Sequence, residues 1–148
     1  MATTDADGLF VDTNVLVYAN VAEAPLHQVA LKAISAARDR GCGLWISRQV
    51  LREYLVVMTR PQTFASLPRK IILDQIQAFG THFSIAEDSA QVTEHLLRLL
   101  TDHDVGGKRI HDANIVATML ALGIPKLLTH NVADFTRFNG LIQLEPLE

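Results

Sequence analysis

Residues 9–18 read LFVDTNVLVY, and this stretch decides the fold. The apolar run at 9–11 has the length and composition of a short buried strand, and Asp12 follows it directly. Thr13-Asn14 then begins a turn or helix that continues through Tyr18. This order places an acid at the carboxyl end of a strand, where the working groups of parallel α/β sheets gather.

The same alternation of strand and helix recurs along the rest of the chain. Residues 43–46 predict a second strand, and Ser47 is a suitable N-cap for a helix that runs towards Arg60. Further strands are predicted at 83–85, 126–129 and 141–144, and further helices from 26, from Pro68, from an Asp88 cap and over 112–122. Strands that alternate with helices predict a parallel sheet covered on both faces.

Composition narrows the class of protein. The chain has 148 residues, 49% of them hydrophobic and 20% charged, which predicts one domain over 1–148 with a sizeable core and a flexible N-terminus at 1–8. A formal charge of −3 excludes a uniformly basic, nucleic-acid-binding coat, and one cysteine excludes a disulfide framework. With no secretory signal or membrane span in the sequence, we expect a cytoplasmic protein.

Four acids map to one edge of the predicted sheet. Asp12 follows the first strand, Glu53 lies about two turns into the next helix, Asp112 starts a later helix, and Asp134 lies five residues beyond Thr129. Each has a structural interpretation by itself, since Asp12 and Asp112 are equally suitable as helix N-caps and Glu53 as a solvated helix residue. The shared location of the four acids indicates a functional site more specifically than any single acid does.

Several carboxylates that meet beside apolar sequence repel one another and are costly to bury. Mg²⁺ and Mn²⁺ would neutralise them, because these hard ions prefer carboxylate and water oxygens. Two such ions about 4 Å apart can activate a water and stabilise the leaving oxygen of a phosphodiester. The acids therefore predict metal-assisted hydrolysis of a phosphodiester bond.

Four short strings carry a family resemblance. They are FVDTNVL at 10–16, Arg52-Glu53, IHDANIVA at 110–117 and LTHNVADF at 128–135. In this order and spacing they resemble the PIN-domain nucleases, in particular the VapC-type toxins of bacterial type II toxin–antitoxin pairs. The resemblance covers about 9–146. It implies a three-layer α/β/α domain with a central, mainly parallel sheet of four to five strands, which binds one or two Mg²⁺ or Mn²⁺ ions and cuts RNA.

The resemblance also assigns roles to individual residues. Asp12 and Asp112 match the two aspartates that bind metal most directly, and Glu53 matches the glutamate on the intervening helix. The fourth position is assigned to Asp134, and Asn131 is kept as an alternative, uncharged ligand or hydrogen-bonding partner. The supporting residues that would orient these ligands are Thr13, Asn14 and Thr129.

The expected partners follow from the same resemblance. A small antitoxin would cover the metal crevice. Lys108 and Arg109 are the candidate contacts to RNA phosphates because of their charge and their position just before Asp112. A homodimer is also implied, with no membrane association. The alternative is a catalytically weak PIN-fold module that binds RNA or protein. An HD-type phosphohydrolase, suggested by His111-Asp112, disagrees with the strand pattern because its scaffold is all-helical.

Overall fold

The computed structural model describes residues 6–61 and 67–148, so residues 1–5 of the predicted flexible N-terminus lie outside it. The strands described are β1 (Leu9–Val11), β2 (Leu44–Ser47), β3 (Ser84–Ala86), β4 (Lys126–Thr129) and β5 (Gln143–Pro146). The α-helices described are α1 (Thr13–Asn20), α2 (His27–Asp39), α3 (Arg48–Met58), α4 (Arg69–His82), α5 (Ala90–Asp102) and α6 (Ile110–Leu122). Across these two ranges, no helix is both long and apolar enough to cross a bilayer.

The described strands form one parallel sheet in the order β3-β2-β1-β4-β5. Helices cover both of its faces, so the predicted three-layer α/β/α fold is confirmed, with five strands. The central strand β1 pairs with β2 on one side and β4 on the other, and Phe10 and Val11 have no exposed surface. This burial on both faces is why residues 9–11 are apolar without alternation.

The order of the strands reverses beside β1. The chain steps from β1 to β2 and β3 in one direction, then crosses back to β4 on the opposite side of β1. At such a switch point the connections leave the sheet in opposite directions and open a crevice at the carboxyl ends of the strands. Asp12 lies in this crevice, and its backbone N–H donates to the carbonyl of Leu128 at 3.0 Å.

Helix α6 runs through the core and carries an acid at its first turn. Val116, Ala117 and Met119 have no exposed surface, and the helix ends at Gly123, which adopts a left-handed φ of 69°. Because the body of α6 is buried by apolar packing, the position of Asp112 is fixed by the core.

The structure corrects several predictions of element ends, and β2 (Leu44–Ser47) and β3 (Ser84–Ala86) each lie one residue later than predicted. The cap of α5 is Ser89, whose hydroxyl accepts from the Val92 N–H at 3.3 Å, whereas Asp88 forms an exposed ion pair with Arg52 at 3.7 Å. A 3-10 turn over Gly107–Arg109 leads into α6, so Asp112 lies in the first turn and not at the cap. The last strand begins at Gln143, not at 141, because a turn with φ of 100° at Gly140 precedes it.

Candidate active site

A cleft of about 820 Å³ opens at the carboxyl edge of the sheet, beside the switch point. Its polar lining includes Asp12, Thr13, Asn14, Gln49, Arg52, Glu53, Lys108, His111, Asp112 and Asn131. Its other wall is formed by Val17, Tyr18, Val56, Val57 and Arg60. The fold thus brings Asp12, Glu53 and Asp112, which are up to 100 positions apart, into one cavity.

Asp12 is buried and held by three donors. Its carboxylate accepts from the Thr13 N–H at 2.8 Å, the Thr129 hydroxyl at 2.7 Å and the Asn14 amide at 3.1 Å. Burial nevertheless raises the pKa of Asp12 to about 6, since the charged form loses more hydration than these donors return. Asp12 therefore caps α1 and also presents an electrostatically costly carboxylate to the cleft.

Asn14 and Thr129 tie the two central strands together around Asp12. The Asn14 amide donates to Asp12 while its oxygen accepts from the His130 N–H at 3.1 Å. The Thr129 hydroxyl donates to Asp12 and accepts from the Asn131 N–H at 3.0 Å. These bonds fix both the rotamer of Asp12 and the course of the chain after β4.

Glu53 projects from α3, which Ser47 caps by accepting from the Val50 N–H at 3.2 Å, as the sequence predicts. One oxygen of its carboxylate accepts from the Thr13 hydroxyl at 2.8 Å, and the other accepts from the Gln49 amide at 3.2 Å. Glu53 is therefore oriented by a donor from each of two helices.

Asp112 lines the same cleft from the first turn of α6. Burial is the largest cause that raises its pKa to about 6, and the negative charges of Asp12, Asp134 and Glu53 raise it further, while Arg109 lowers it. The other three predicted acids thus all act on the charge of Asp112.

The two candidates for the fourth position differ in their surroundings. Asn131 lines the cleft, whereas Asp134 is outside its lining. Asp134 lies in a 3-10 helix over Val132–Phe138 and accepts a hydrogen bond from Arg109 at 3.1 Å. Arg109 is therefore paired with an acid, and Lys108 is the neighbouring cation that faces the cavity.

Sequence reasoning missed Gln49, which has no charge and sits in a helix assigned by its apolar face. It is only 5% exposed and donates to Glu53 one helical turn later. The available signal was the spacing, because residues four apart on a helix share a face and Gln49 precedes the candidate acid by four.

The donor set suits a hydrated divalent cation better than a closed cage. Within 6–61 and 67–148, no three His, Cys, Asp or Glu side chains are grouped closely enough to hold one ion between them. Mg²⁺ commonly takes only one or two carboxylates and keeps several waters. Two carboxylates that are costly to ionise, Asp12 and Asp112, beside amide and hydroxyl oxygens fit that requirement.

The fold and cleft define an α/β domain with an acidic site at the switch point of a parallel sheet. The chain belongs to the PIN domain family, whose model matches residues 9–141. No curated protein matches its sequence.

Solved structures share the fold at low identity. VapBC2 from Rickettsia felis, bound to a DNA fragment from its promoter, is 21% identical with a TM-score of 0.69, covering 95% of this chain and 98% of the other. DNA-bound VapBC from Salmonella typhimurium is 18% identical, with the same TM-score and the same coverage. The sarcin-ricin loop cleaving toxin VapC20 of Mycobacterium tuberculosis is 22% identical with a TM-score of 0.63, covering 81% and 87%.

Proposed function

We propose that this chain is a Mg²⁺- or Mn²⁺-dependent endoribonuclease and the toxin of a toxin–antitoxin pair. The observation that carries the proposal is the pair Asp12 and Asp112, which face one cleft with pKa values raised to about 6. Perturbed acids that meet in a cavity are typical of functional sites. Family membership and the likeness to a toxin described as cleaving the sarcin-ricin loop support RNA as the substrate class.

Each residue has a role in this proposal. Asp12 and Asp112 hold the cation, which when bound activates water and neutralises charge on the scissile phosphate. Glu53, oriented by Thr13 and Gln49, contributes a third negative charge at the same wall. Thr129 keeps Asp12 in its rotamer by donating to it at 2.7 Å. No side chain needs to act as a nucleophile.

Two neighbouring residues complete the proposed site. Asn131 lines the cleft and offers the uncharged oxygen or the NH₂ group of its side chain. Asp134 lies outside the lining and acts on Asp112 through its negative charge. Lys108 faces the cavity and meets an RNA phosphate, since phosphate contacts supply most of the affinity for nucleic acids. Arg109 reaches the backbone of the RNA only if it leaves Asp134.

An RNA cleavage assay in which the divalent cation is varied decides between a nuclease and a binding module. We expect the purified chain to cut a set of structured and single-stranded RNAs with Mg²⁺ or Mn²⁺, and to stop when EDTA removes the ion. The measurement is the initial rate of product formation, with Ca²⁺ as a cation that binds carboxylates but differs in size and geometry. RNA bound but never cut in any metal would favour the binding module.

The cleft also suits an inhibitory partner segment. Its apolar side, with Val17, Val56 and Val57, adjoins the acids, so an amphipathic helix with one basic side chain fits both parts. Several similar structures are VapBC complexes, and one from Klebsiella pneumoniae is described as a toxin–antitoxin complex. These likenesses support an antitoxin as the partner.

We expect the chain to form a homodimer through α3 and α4. Ile71 and Leu73 on α4 are 44% and 49% exposed and lie outside the cleft lining, which leaves apolar surface to bury. Light scattering should give twice the 16.3 kDa chain mass, and Leu73→Glu should return the mass to that of one chain. Leu97→Glu on α5, which is 60% exposed, is the matched control and should leave the dimer intact. A wild-type monomer at high concentration would contradict the prediction.

A further inference from the structure

The buried amide of Gln49 joins two helices at the wall of the cleft. Its Nε2 donates to the Glu53 carboxylate at 3.2 Å and to the backbone carbonyl of His111 at 2.8 Å. Its Oε1 accepts from the Asn114 amide at 2.8 Å. One side chain of α3 is therefore bonded to an acid on its own helix and to two residues of α6.

The partners of Gln49 fix the orientation of its amide. A carboxylate and a backbone carbonyl offer acceptor oxygens, so the NH₂ group must face Glu53 and His111. The Asn114 NH₂ group can only donate, so the oxygen must face it. A flipped amide would set oxygen against two acceptors and nitrogen against a donor. Because the group is buried, each lost bond would leave an unsatisfied polar atom.

These bonds couple the positions of two candidate acids. His111 directly precedes Asp112, and the Gln49 nitrogen that holds its carbonyl also holds the Glu53 carboxylate. Asp12 is positioned differently, by the sheet and by Thr129. The relation between Glu53 on α3 and Asp112 on α6 thus depends on a contact between helices that a single amide supplies.

We infer that Gln49 is a positioning residue that sets the separation of the Glu53 and Asp112 carboxylates for cation binding. The inference rests on the proposed function, in which Asp112 helps to hold the hydrated cation and Glu53 adds a negative charge beside it. Side chains that orient the ligands of a metal typically change affinity or activity by about 10- to 100-fold when removed. An effect of that size on cation affinity is expected here.

Gln49→Leu tests this inference, because leucine fills similar volume without hydrogen-bonding groups. We expect Mn²⁺ affinity, measured from the electron paramagnetic resonance signal of free Mn²⁺, to fall about 10-fold or more. In cleavage assays kcat should fall while KM for RNA changes little. The matched control is Gln75→Leu, which removes the bond that Gln75 accepts from the Tyr54 hydroxyl at 2.6 Å. That variant should bind Mn²⁺ like the wild type.

A second variant keeps the test decisive if Gln49→Leu fails to fold. Asn114→Ala leaves Gln49 in place but removes the donor that fixes its amide, so Mn²⁺ affinity should fall in the same direction by a smaller factor. Wild-type Mn²⁺ affinity in a folded Gln49→Leu or in Asn114→Ala, or an equal loss in Gln75→Leu, would overturn the inference. If the wild-type chain binds Mn²⁺ but cuts no RNA, the proposed function fails while the Mn²⁺ measurement still decides the role of Gln49.

Discussion

Asp12→Asn is expected to lower RNA cleavage by at least about 100-fold, since losing a residue that only orients a ligand already changes activity by about 10- to 100-fold. Asparagine keeps the oxygen that accepts from the Thr13 N–H and is an equally good N-cap, so α1 should remain intact. The substitution removes the negative charge that, in the proposed function, holds the cation. Initial rates on one RNA at saturating Mg²⁺, together with Mn²⁺ affinity, measure the effect.

Two control variants distinguish the loss of the Asp12 charge from a general loss of stability and from the loss of a negative charge near the cleft. Ser89→Ala removes the cap of α5, so it should lower the free energy of unfolding by about 1 kcal/mol without changing cleavage. Asp134→Asn should reduce cleavage less than Asp12→Asn, because Asp134 lies outside the cleft lining and is paired with Arg109. Cleavage by Asp12→Asn within a few-fold of the wild type would remove Asp12 from the active site.

The metal-free protein should lose stability as the pH rises from about 4 to about 7. The pKa of Asp12 is about 6 in the folded state and near its ordinary value of 3.8 in the unfolded chain. Between these values the folded protein binds more protons than the unfolded chain, so its free energy of unfolding falls with rising pH. The difference between the two pKa values of Asp12 corresponds to roughly 3 kcal/mol in the free energy of unfolding. Asp112 shifts in the same direction.

Urea unfolding in EDTA at pH 4.5 and pH 7.5 measures this effect. The comparison with Asp12→Asn tests it, because asparagine does not titrate. Removing the Asp12 charge also lowers the pKa of Asp112, which changes the difference in the same direction. Relative to the wild type, the free energy of unfolding of Asp12→Asn should rise by about 2 kcal/mol from pH 4.5 to pH 7.5. Mn²⁺ at pH 7.5 should raise the stability of the wild type by mass action and that of the variant much less. Parallel pH curves for the two proteins would contradict the shifted pKa.

The sequence predicted the strands and the acidic edge because both depend on local pattern. The apolar run before Asp12 and the position of Asp112 at the start of a buried helix are each visible within a few residues. The order of the strands was not predictable, because periodicity identifies a strand but not its neighbours. The crevice beside β1 follows from that order alone.

Side-chain pairing accounts for most of what the sequence did not reveal. Asp88 and Ser89 are both good caps, and only the structure shows that Ser89 caps α5 while Asp88 pairs with Arg52. The family resemblance likewise favoured Asp134 over Asn131 for the fourth position, whereas of the two only Asn131 lines the cavity. Gln49 carries neither charge nor motif, so its role depends on contacts with α6 that no local pattern contains.

The bond from Thr129 to Asp12 joins residues 117 positions apart, and that from His130 to Asn14 spans 116. A nascent chain still holding β4 inside the ribosome would already have exposed Asp12 and Glu53, yet neither the strand beside Asp12 nor its hydroxyl donor would be in place. The acidic cleft therefore assembles only after β4 has left the ribosome, and chains that terminate before β4 would lack the completed site however many of the acids they contain.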